Sequence, residues 1–408
     1  MGKKRIVVIG GGAAGFFASI AAAERDRSLE VMILEHGRQP LAKVLASGGG
    51  RCNVTHACFD PKLLAGYYPR GGKELIGPFH RWQPRDTIEW FESRGVPLKA
   101  EPDGRVFPVT DQSGSIADCL LKAARDLRVQ VRLQDPAIAV ERTADGTAWR
   151  VFPSSGEPLV CDRVLLAPGG NPSGKAYAIA EKLGHTIEPL VPSLFTFKVP
   201  DRALGALAGI SLPKALLTVD GTRLRSEGPL LITHWGFSGP AVLALSAWGA
   251  RELHARDYRF SMRVNWLGGI TRERLLPRLQ NLRTTAARKT VLNAHPDELP
   301  KRLWEYLLQR CAIDTATQWG RLSNRTLETL CSGMTGMEFE VRGKSPFKEE
   351  FVTCGGVRLS EVDFRTMESK LHPGLLFAGE FLDIDGITGG FNFQAAWTTG
   401  WIASGQGR

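Results

Sequence analysis

The chain has 408 residues, of which 43% are hydrophobic and 23% charged, with a formal net charge of +10. Those are ordinary globular values, and the length predicts two or three domains able to bury a large cofactor. No run approaches the roughly 18 apolar residues of a membrane span, and the seven cysteines are scattered, odd in number and without a C-x-x-C pair, so a membrane protein, a metal site and a disulfide scaffold are set aside and a reducing cytoplasm is expected.

The basic start MGKKR runs into an apolar stretch that ends after four residues with no small-residue cleavage site, so RIVVI at 5–9 reads as a buried strand rather than a signal peptide. GGGAAG opens a small-residue helix through about Arg25, and LEVMILE at 29–35 is a second buried strand. Together they form a βαβ unit. Its Gly10-x-Gly12-Ala13-Ala14-Gly15 spacing permits a tight turn, close backbone approach to a pyrophosphate, and close packing of helix on strand, while the helix N-terminus supplies partial positive charge. Glu35 ends the second strand 20 residues beyond Gly15, where a carboxylate can accept from an adenosine ribose. A bound dinucleotide is expected; a purely structural glycine turn is the alternative.

Next comes KVLASGGGRCNVTH at 43–56, with three consecutive glycines at 48–50 in front of Arg51, Cys52 and Asn53. Bare backbone beside a guanidinium, a thiol and an amide suggests a loop pressed against something flat or anionic. CDRVLLAPGGNPSG at 161–174 reads as a buried strand that closes the same sheet and turns near the cofactor at Gly169. The span 169–174 lacks the G-x-G-x-x-G spacing, so no second, stably bound nicotinamide domain is expected, and NAD(P)H as reductant would visit transiently. An oxidase reoxidised by oxygen is equally compatible.

From 188 to 265, segments such as LFTFKV, LLTVDGTRLR and YRFSMRVNW alternate apolar and polar residues, as in an antiparallel barrel or sandwich. From 271 to 331 the spacing is helical, with breaks expected at Pro277, Pro296 and Pro300, and MEFEVRG at 337–343 is a strand leading back. Residues 201–330 hold 19 Lys and Arg against 11 Asp and Glu, most of the chain's net charge. That excess suits contacts with RNA phosphates, for instance through Arg272, Arg274 and Arg278; solvated helix faces are the alternative. LLFAGE at 375–380 is another buried strand, after which Gly389 and Gly390 lead into a helix whose N-terminus can face the cofactor. Both ends of the chain thus build one site around an insertion.

SGGGRCNVT, THWGFSGPAVL at 233–243, VTCGGVRLSEV with TMESK, and GEFLDIDGITGGFNFQAAW together strongly resemble the BaiN/RdsA family of FAD-dependent flavoproteins, over nearly the whole chain. The resemblance implies an α/β fold with a Rossmann-type, glutathione-reductase-like FAD domain (1–187 and 346–408), an inserted β-barrel domain (188–265 and 334–345) and a small inserted helical domain (266–333). It implies that Gly10, Gly12, Gly15 and Glu35 hold the ADP half of FAD. It places Lys43, Ser47, Gly49, Gly50, Arg51, Cys52 and Asn53 beside the isoalloxazine and pyrophosphate, and Gly379, Glu380, Asp385, Gly389, Gly390, Phe391 and Asn392 over the ribityl chain and pyrimidine edge. Departures from the family pattern are Ala42-Lys43-Val44 for the common Gly-Lys-Lys, His56 for Asn, and Ala167-Pro168-Gly169 without the usual Thr.

The implied enzyme positions a substrate carbon against the flavin and handles a proton. Arg51 would stabilise the anionic edge of the reduced ring, and Cys52 and His234 are the candidate proton donors, with a buried structural cysteine and a loop-satisfying histidine as the alternatives. Asp383 and Asp385 read as turn and ribityl-binding residues before an acid/base pair. The family's activities include reduction of a uracil C5=C6 bond in large-subunit ribosomal RNA. The rivals are a small-molecule flavin oxidase or ene-reductase acting on an amine or enoate, and a non-enzymatic flavin-containing RNA-binding or sensor protein. Trp235, Phe237, Trp248 and Trp266 would stack on bases or sit in the core.

Overall fold

The computed structural model describes residues 4–170, 176–296, 298–344 and 352–405. Gly174 and the expected boundary at 345–346 lie outside the described residues. The chain divides into two compact units, Met1–Val191 with Val352–Arg408, and Pro192–Phe351.

The first unit begins with the expected β1 (Arg5–Ile9), α1 (Ala13–Arg25) and β2 (Glu30–Leu34). β3 (Gln130–Arg132), β4 (Arg163–Leu166) and β5 (Leu375–Phe377) extend a parallel sheet of order β5-β4-β1-β2-β3. Two short antiparallel strands, Val362–Asp363 and Glu368–Ser369, lie beyond β5. Val7 and Val8 of the central β1 are almost wholly buried, which is why such strands read as continuous apolar runs.

The closing helix α2 (Phe391–Ala403) crosses α1 at backbone distance: a Cβ on Gly400 would lie 2.7 Å from the Ala14 carbonyl oxygen. Its polar residues are buried and matched. Gln394 Oε1 accepts from Thr55 at 2.6 Å and Thr87 at 3.0 Å, Gln394 Nε2 donates to Thr398 at 3.0 Å, and Thr398 donates to the Trp82 carbonyl at 3.0 Å. Satisfied networks of this kind rigidify a core, whereas a lone buried amide would destabilise it.

A second buried network fastens the antiparallel edge. His185 bonds Glu361 through Nδ1 at 3.0 Å and Ser369 through Nε2 at 2.9 Å, and Ser369 Oγ accepts from the N–H groups of Leu371 and His372 at 3.0 Å each. The three groups line up as in a nucleophilic triad, yet Ser369 is only 6% exposed and its oxygen is already engaged, so the arrangement is structural. Burial lowers the His185 pKa, against the opposing pull of Glu361. The folded state therefore binds this proton less readily than the unfolded chain, whose imidazole titrates near about 6.5. Stability is complete above that pH and is lost as pH falls below it. Urea melts at about pH 7.5 and about pH 5.5 should show this loss, and His185→Gln should reduce it. An unchanged pH dependence in the variant would place the titration on another group, such as His56, which burial also lowers.

In the second unit six antiparallel strands follow the spatial order Phe197–Lys198, Gly236–Ser238, Arg225–Thr233, Ser211–Val219, Arg259–Asn265 and Met337–Arg342. Lys198 N–H donates to the Gly343 carbonyl at 2.8 Å and Phe197 bridges Lys344, so the first strand meets the last and the sheet closes into a barrel. Helices Arg272–Thr285, Lys301–Arg310 and Asn324–Gly336 follow within the same unit. Their Leu275, Leu279, Leu303, Trp304 and Leu327 share one hydrophobic core with Leu217, Met262 and Val264 of the strands. Pro277, expected as a break, lies inside the first of these helices. It removes one backbone donor, and the buried Leu275 and Leu279 hold the helix on either side of it. Phe237 and Trp266, considered as base-stacking residues, are core residues packed against Phe339; Trp248 is 48% exposed.

Candidate cofactor and active site

The sheet register sets Ile9 beside Leu34 and Leu166, and Phe377 beside Leu166. The carboxyl ends of β1, β2, β4 and β5 therefore open at one edge, where ligands bind in open α/β sheets. The turns that follow carry Gly10, Glu35, Gly169 and Gly379 with Glu380.

Close approach fixes the first turn. A Cβ on Gly10 would sit 2.3 Å from the Ala167 carbonyl oxygen, and one on Gly15 only 2.0 Å from the Gly10 carbonyl oxygen. Gly12 is different, since a Cβ there would meet no atom within 4 Å, and the same holds for Gly49, Gly50 and Gly169. Left-handed backbone accounts for Gly49, Gly50 and Gly169, with φ of 67°, 87° and 76°, whereas Gly12 is extended and neither packing nor backbone requires glycine there. The α1 N-terminus, starting at Ala13 and Ala14, has Gly12 as its N-cap and no side-chain cap, which leaves first-turn amides for an anion. Glu35 Oε2 accepts from Gly11 N–H at 2.7 Å and Oε1 from Gly37 N–H at 2.6 Å. His36 Nδ1 also lies 2.9 Å from Oε1, so of a carboxylate's about four acceptor positions one on Oε2 stays open to a ribose hydroxyl.

Several residues expected against the cofactor are engaged by the protein itself. Lys43 Nζ donates to Glu380 Oε2 at 2.5 Å, and Glu380 Oε1 accepts from Thr353 N–H at 2.8 Å. Ser47 Oγ donates to the Val44 carbonyl at 2.8 Å. Arg51, expected at the flavin edge, donates from its guanidinium to Glu101 at 2.6 Å and to Asp111 at 2.7 and 2.9 Å and lies 4.0 Å over the Phe107 ring. Two carboxylates neutralise it, and it serves as the clamp of the glycine loop. Asp385, expected over the ribityl chain, is fully buried and forms a two-pronged ion pair with Arg70 through both carboxylate oxygens.

The glycine loop winds through left-handed backbone at Gly48, Gly49 and Gly50 and again at Cys52, with φ of 60°. That turn drives the Cys52 side chain into the core, where burial pushes the thiol up to about 12. Such burial fits a packing residue, and substitution tests the expected role as proton donor. Cys52→Ala is expected to retain turnover within about threefold of wild type in a steady-state assay, and a loss of about 100-fold or more would restore the donor role. His234, the other candidate, is exposed at the turn between Arg225–Thr233 and Gly236–Ser238 in the second unit.

Asn53 and Asn392 hold the start of α2. With its amide oriented to suit its neighbours, Asn53 accepts from Gly390 N–H at 3.0 Å and donates to the Thr55 carbonyl at 3.0 Å. Asn392 both accepts from and donates to the Gly386 backbone at 2.9 Å. A Cβ on Gly390 would lie 2.4 Å from the Thr55 carbonyl oxygen, so this helix end is packed against the strand Thr55–His56. Gly389 follows suit, being closed off by Phe391, and Gly379 by Ala14 of α1. Phe391 stacks on Tyr67 at 4.4 Å and on His56 at 4.6 Å between ring centres. Sequence reasoning missed Arg70, Tyr67 and Tyr68, whose hydroxyl donates to the Phe391 carbonyl at 2.6 Å. Their signal was the segment YYPRGG, two aromatics against a proline and two glycines.

Sheet, glycine turns and uncapped helix define a Rossmann-type dinucleotide-binding protein. The chain belongs to the HI0933-like family, whose Rossmann-domain description matches residues 4–406. It is 32% identical over 410 residues, 98% of this chain and 96% of the relative, to the ribosomal RNA dihydrouridine synthase of Escherichia coli (strain K12). It is 31% identical over 416 residues, 98% of each chain, to the 3-dehydro-bile acid delta(4,6)-reductase of Clostridium scindens. Among solved structures, 3-ketosteroid delta1-dehydrogenase from Sterolibacterium denitrificans in complex with 1,4-androstadiene-3,17-dione shares the fold, with a TM-score of 0.52, 14% identity and 98% of each chain covered. The BaiN/RdsA resemblance of the motifs is borne out, and the chain is a FAD-dependent oxidoreductase. The residues present fit FAD: the four open glycines and the α1 N-terminus would take the pyrophosphate and ring, and Glu35 the adenosine ribose.

Proposed function

We propose that this enzyme reduces a carbon–carbon double bond, with uridine in large-subunit ribosomal RNA as substrate and dihydrouridine as product, in the cytoplasm. The observation that carries the substrate is the near-full-length likeness to a ribosomal RNA dihydrouridine synthase, and the surplus of Lys and Arg in residues 201–330 agrees with it. FAD supplies hydride to one carbon of the double bond, with NAD(P)H as its visiting reductant. The chain's part is to bind and orient: Gly12 and the α1 amides hold the pyrophosphate, and the left-handed Gly49 and Gly50 keep side chains off the ring face. The candidates for the proton of the second carbon remain His234, which is exposed, and Cys52, which is buried. No helix among the described residues is long and apolar enough to cross a membrane.

A second reading, a reductase of a small enone-type molecule, is favoured by the bile-acid reductase relative at nearly the same identity. Mass-spectrometric counting of dihydrouridine in ribosomal RNA from cells with and without the gene separates the two. Loss of one modified position on deletion, restored by the wild-type gene, is the expected result, and failure of His234→Ala to restore it would favour that residue as the donor. An unchanged RNA profile would move the assignment to the small molecule.

A further inference from the structure

We infer that Arg288, Lys289, Arg321 and Arg325, clustered in the helical part of the second unit, form the surface that grips the RNA phosphate backbone; this rests on the RNA reading above. Elsewhere in the unit some cations are spoken for, while Arg202, Arg223, Arg225, Arg274 and Lys301 are, like the cluster, exposed and without an ion pair among the described residues. Lys214 pairs with Glu227 at 3.0 Å, Arg263 with Asp220 at 2.9 Å, and Arg310 with Asp201 at 2.8 Å. Two of the three arginines that the sequence suggested for RNA are neutralised as well, Arg272 by Glu328 at 3.5 Å and Arg278 by Glu298 at 2.5 Å. The four residues of the cluster are exposed, and none makes a side-chain ion pair or hydrogen bond among the described residues.

Backbone stitching brings them together. Trp319 N–H donates to the Lys289 carbonyl and Gly320 N–H to the Ala287 carbonyl, both at 3.0 Å, and Thr290 bridges Gln318. Arg283 then ties this seam to the start of the next helix, through Asn324 Oδ1 at 2.7 Å and the Leu322 carbonyl at 3.4 Å. Arg288 and Lys289 therefore stand beside Arg321 and Arg325 on one seam. Beneath it Trp304 and Trp319 are fully buried, with indole N–H groups donated to the Val291 and Ala294 carbonyls at 2.9 Å each, so the platform is rigid. Arg325 also lies in the first turn of Asn324–Gly336, where there is no acidic residue. A cation at the positive end of a helix opposes the dipole, and an anionic partner relieves that repulsion. Among the described residues from 286 to 325 no large hydrophobic side chain is exposed, and the positive charge of the cluster makes phosphate the matching chemistry.

The test uses the full-length flavin-loaded protein and a transcribed fragment of large-subunit ribosomal RNA, with fluorescence anisotropy between about 50 and 200 mM salt. Arg288→Gln, Lys289→Gln, Arg321→Gln and Arg325→Gln combined should weaken binding at the lowest salt by about 30-fold and flatten the slope of log affinity against log salt by about three. The flavin spectrum and Tm should be unchanged. Arg272→Gln with Arg278→Gln, matched in chemistry but already ion-paired, should leave the slope within about one of wild type. Wild-type RNA binding by the fourfold variant would overturn the surface and leave the RNA reading standing. Equal losses in both variants would overturn it too, as a general charge effect. Failure of the wild-type protein to bind the RNA in a salt-dependent way would remove the RNA reading itself.

Discussion

Gly12→Val is expected to yield a folded protein that no longer retains FAD. Gly12 has φ of −89° and ψ of −169°, extended backbone that any residue adopts, and a Cβ there meets no protein atom. The valine methyls therefore burden the space in front of the α1 N-terminus and not the fold. FAD affinity should fall by at least about 100-fold, equivalent to about 2.7 kcal/mol, and the protein should purify without flavin absorbance. Its Tm should stay within about 2 °C of flavin-free wild type, since a surface change away from core packing is worth at most a few tenths of a kcal/mol. Gly15→Ala makes the contrast. Its Cβ would meet the Gly10 carbonyl oxygen at 2.0 Å, so it should lower Tm and flavin retention together. A Gly12→Val protein that purifies yellow with wild-type affinity would show that the pyrophosphate does not pass this turn.

Asp385→Ala is expected to be the most damaging single change to stability. The carboxylate is fully buried against Arg70, whose side chain is 12% exposed. Removing one partner leaves the other charge buried without compensation, which costs about 3–5 kcal/mol. In a domain of this size that lowers Tm by about 10 °C. Arg70→Met combined with Asp385→Leu should recover most of the loss, because two apolar groups need no partner. Differential scanning calorimetry of the single and double variants decides it. A single variant within about 1 kcal/mol of wild type would mean that water reaches the pair.

The arginine, cysteine and aspartate of the motifs mark how far residue type alone carries an assignment. Arg51 beside three glycines reads as an anion binder until Glu101 and Asp111 are found to hold it. Cys52 reads as a reactive thiol until the left-handed turn at that residue is seen to bury it. The stacking proposed for Phe237 and Trp266 fails for the same reason, since both rings are buried against Phe339 in the core of the second unit.

The sequence by itself determined the βαβ start, the Gly10 to Gly15 turn, Glu35 at the end of β2, the closing helix and the barrel strands. Those features depend on periodicity and on steric limits within a few residues, so they are written locally. Only the tertiary structure decided which charges are consumed and which remain. Arg70 meets Asp385 from 315 residues away and Lys43 meets Glu380 from 337 away, contacts set by sheet register and by the return of the chain. Coulomb attraction acts through space and not along the chain, so a carboxylate's partner, and with it the difference between a binding group and a clamp, appears only when the fold has closed.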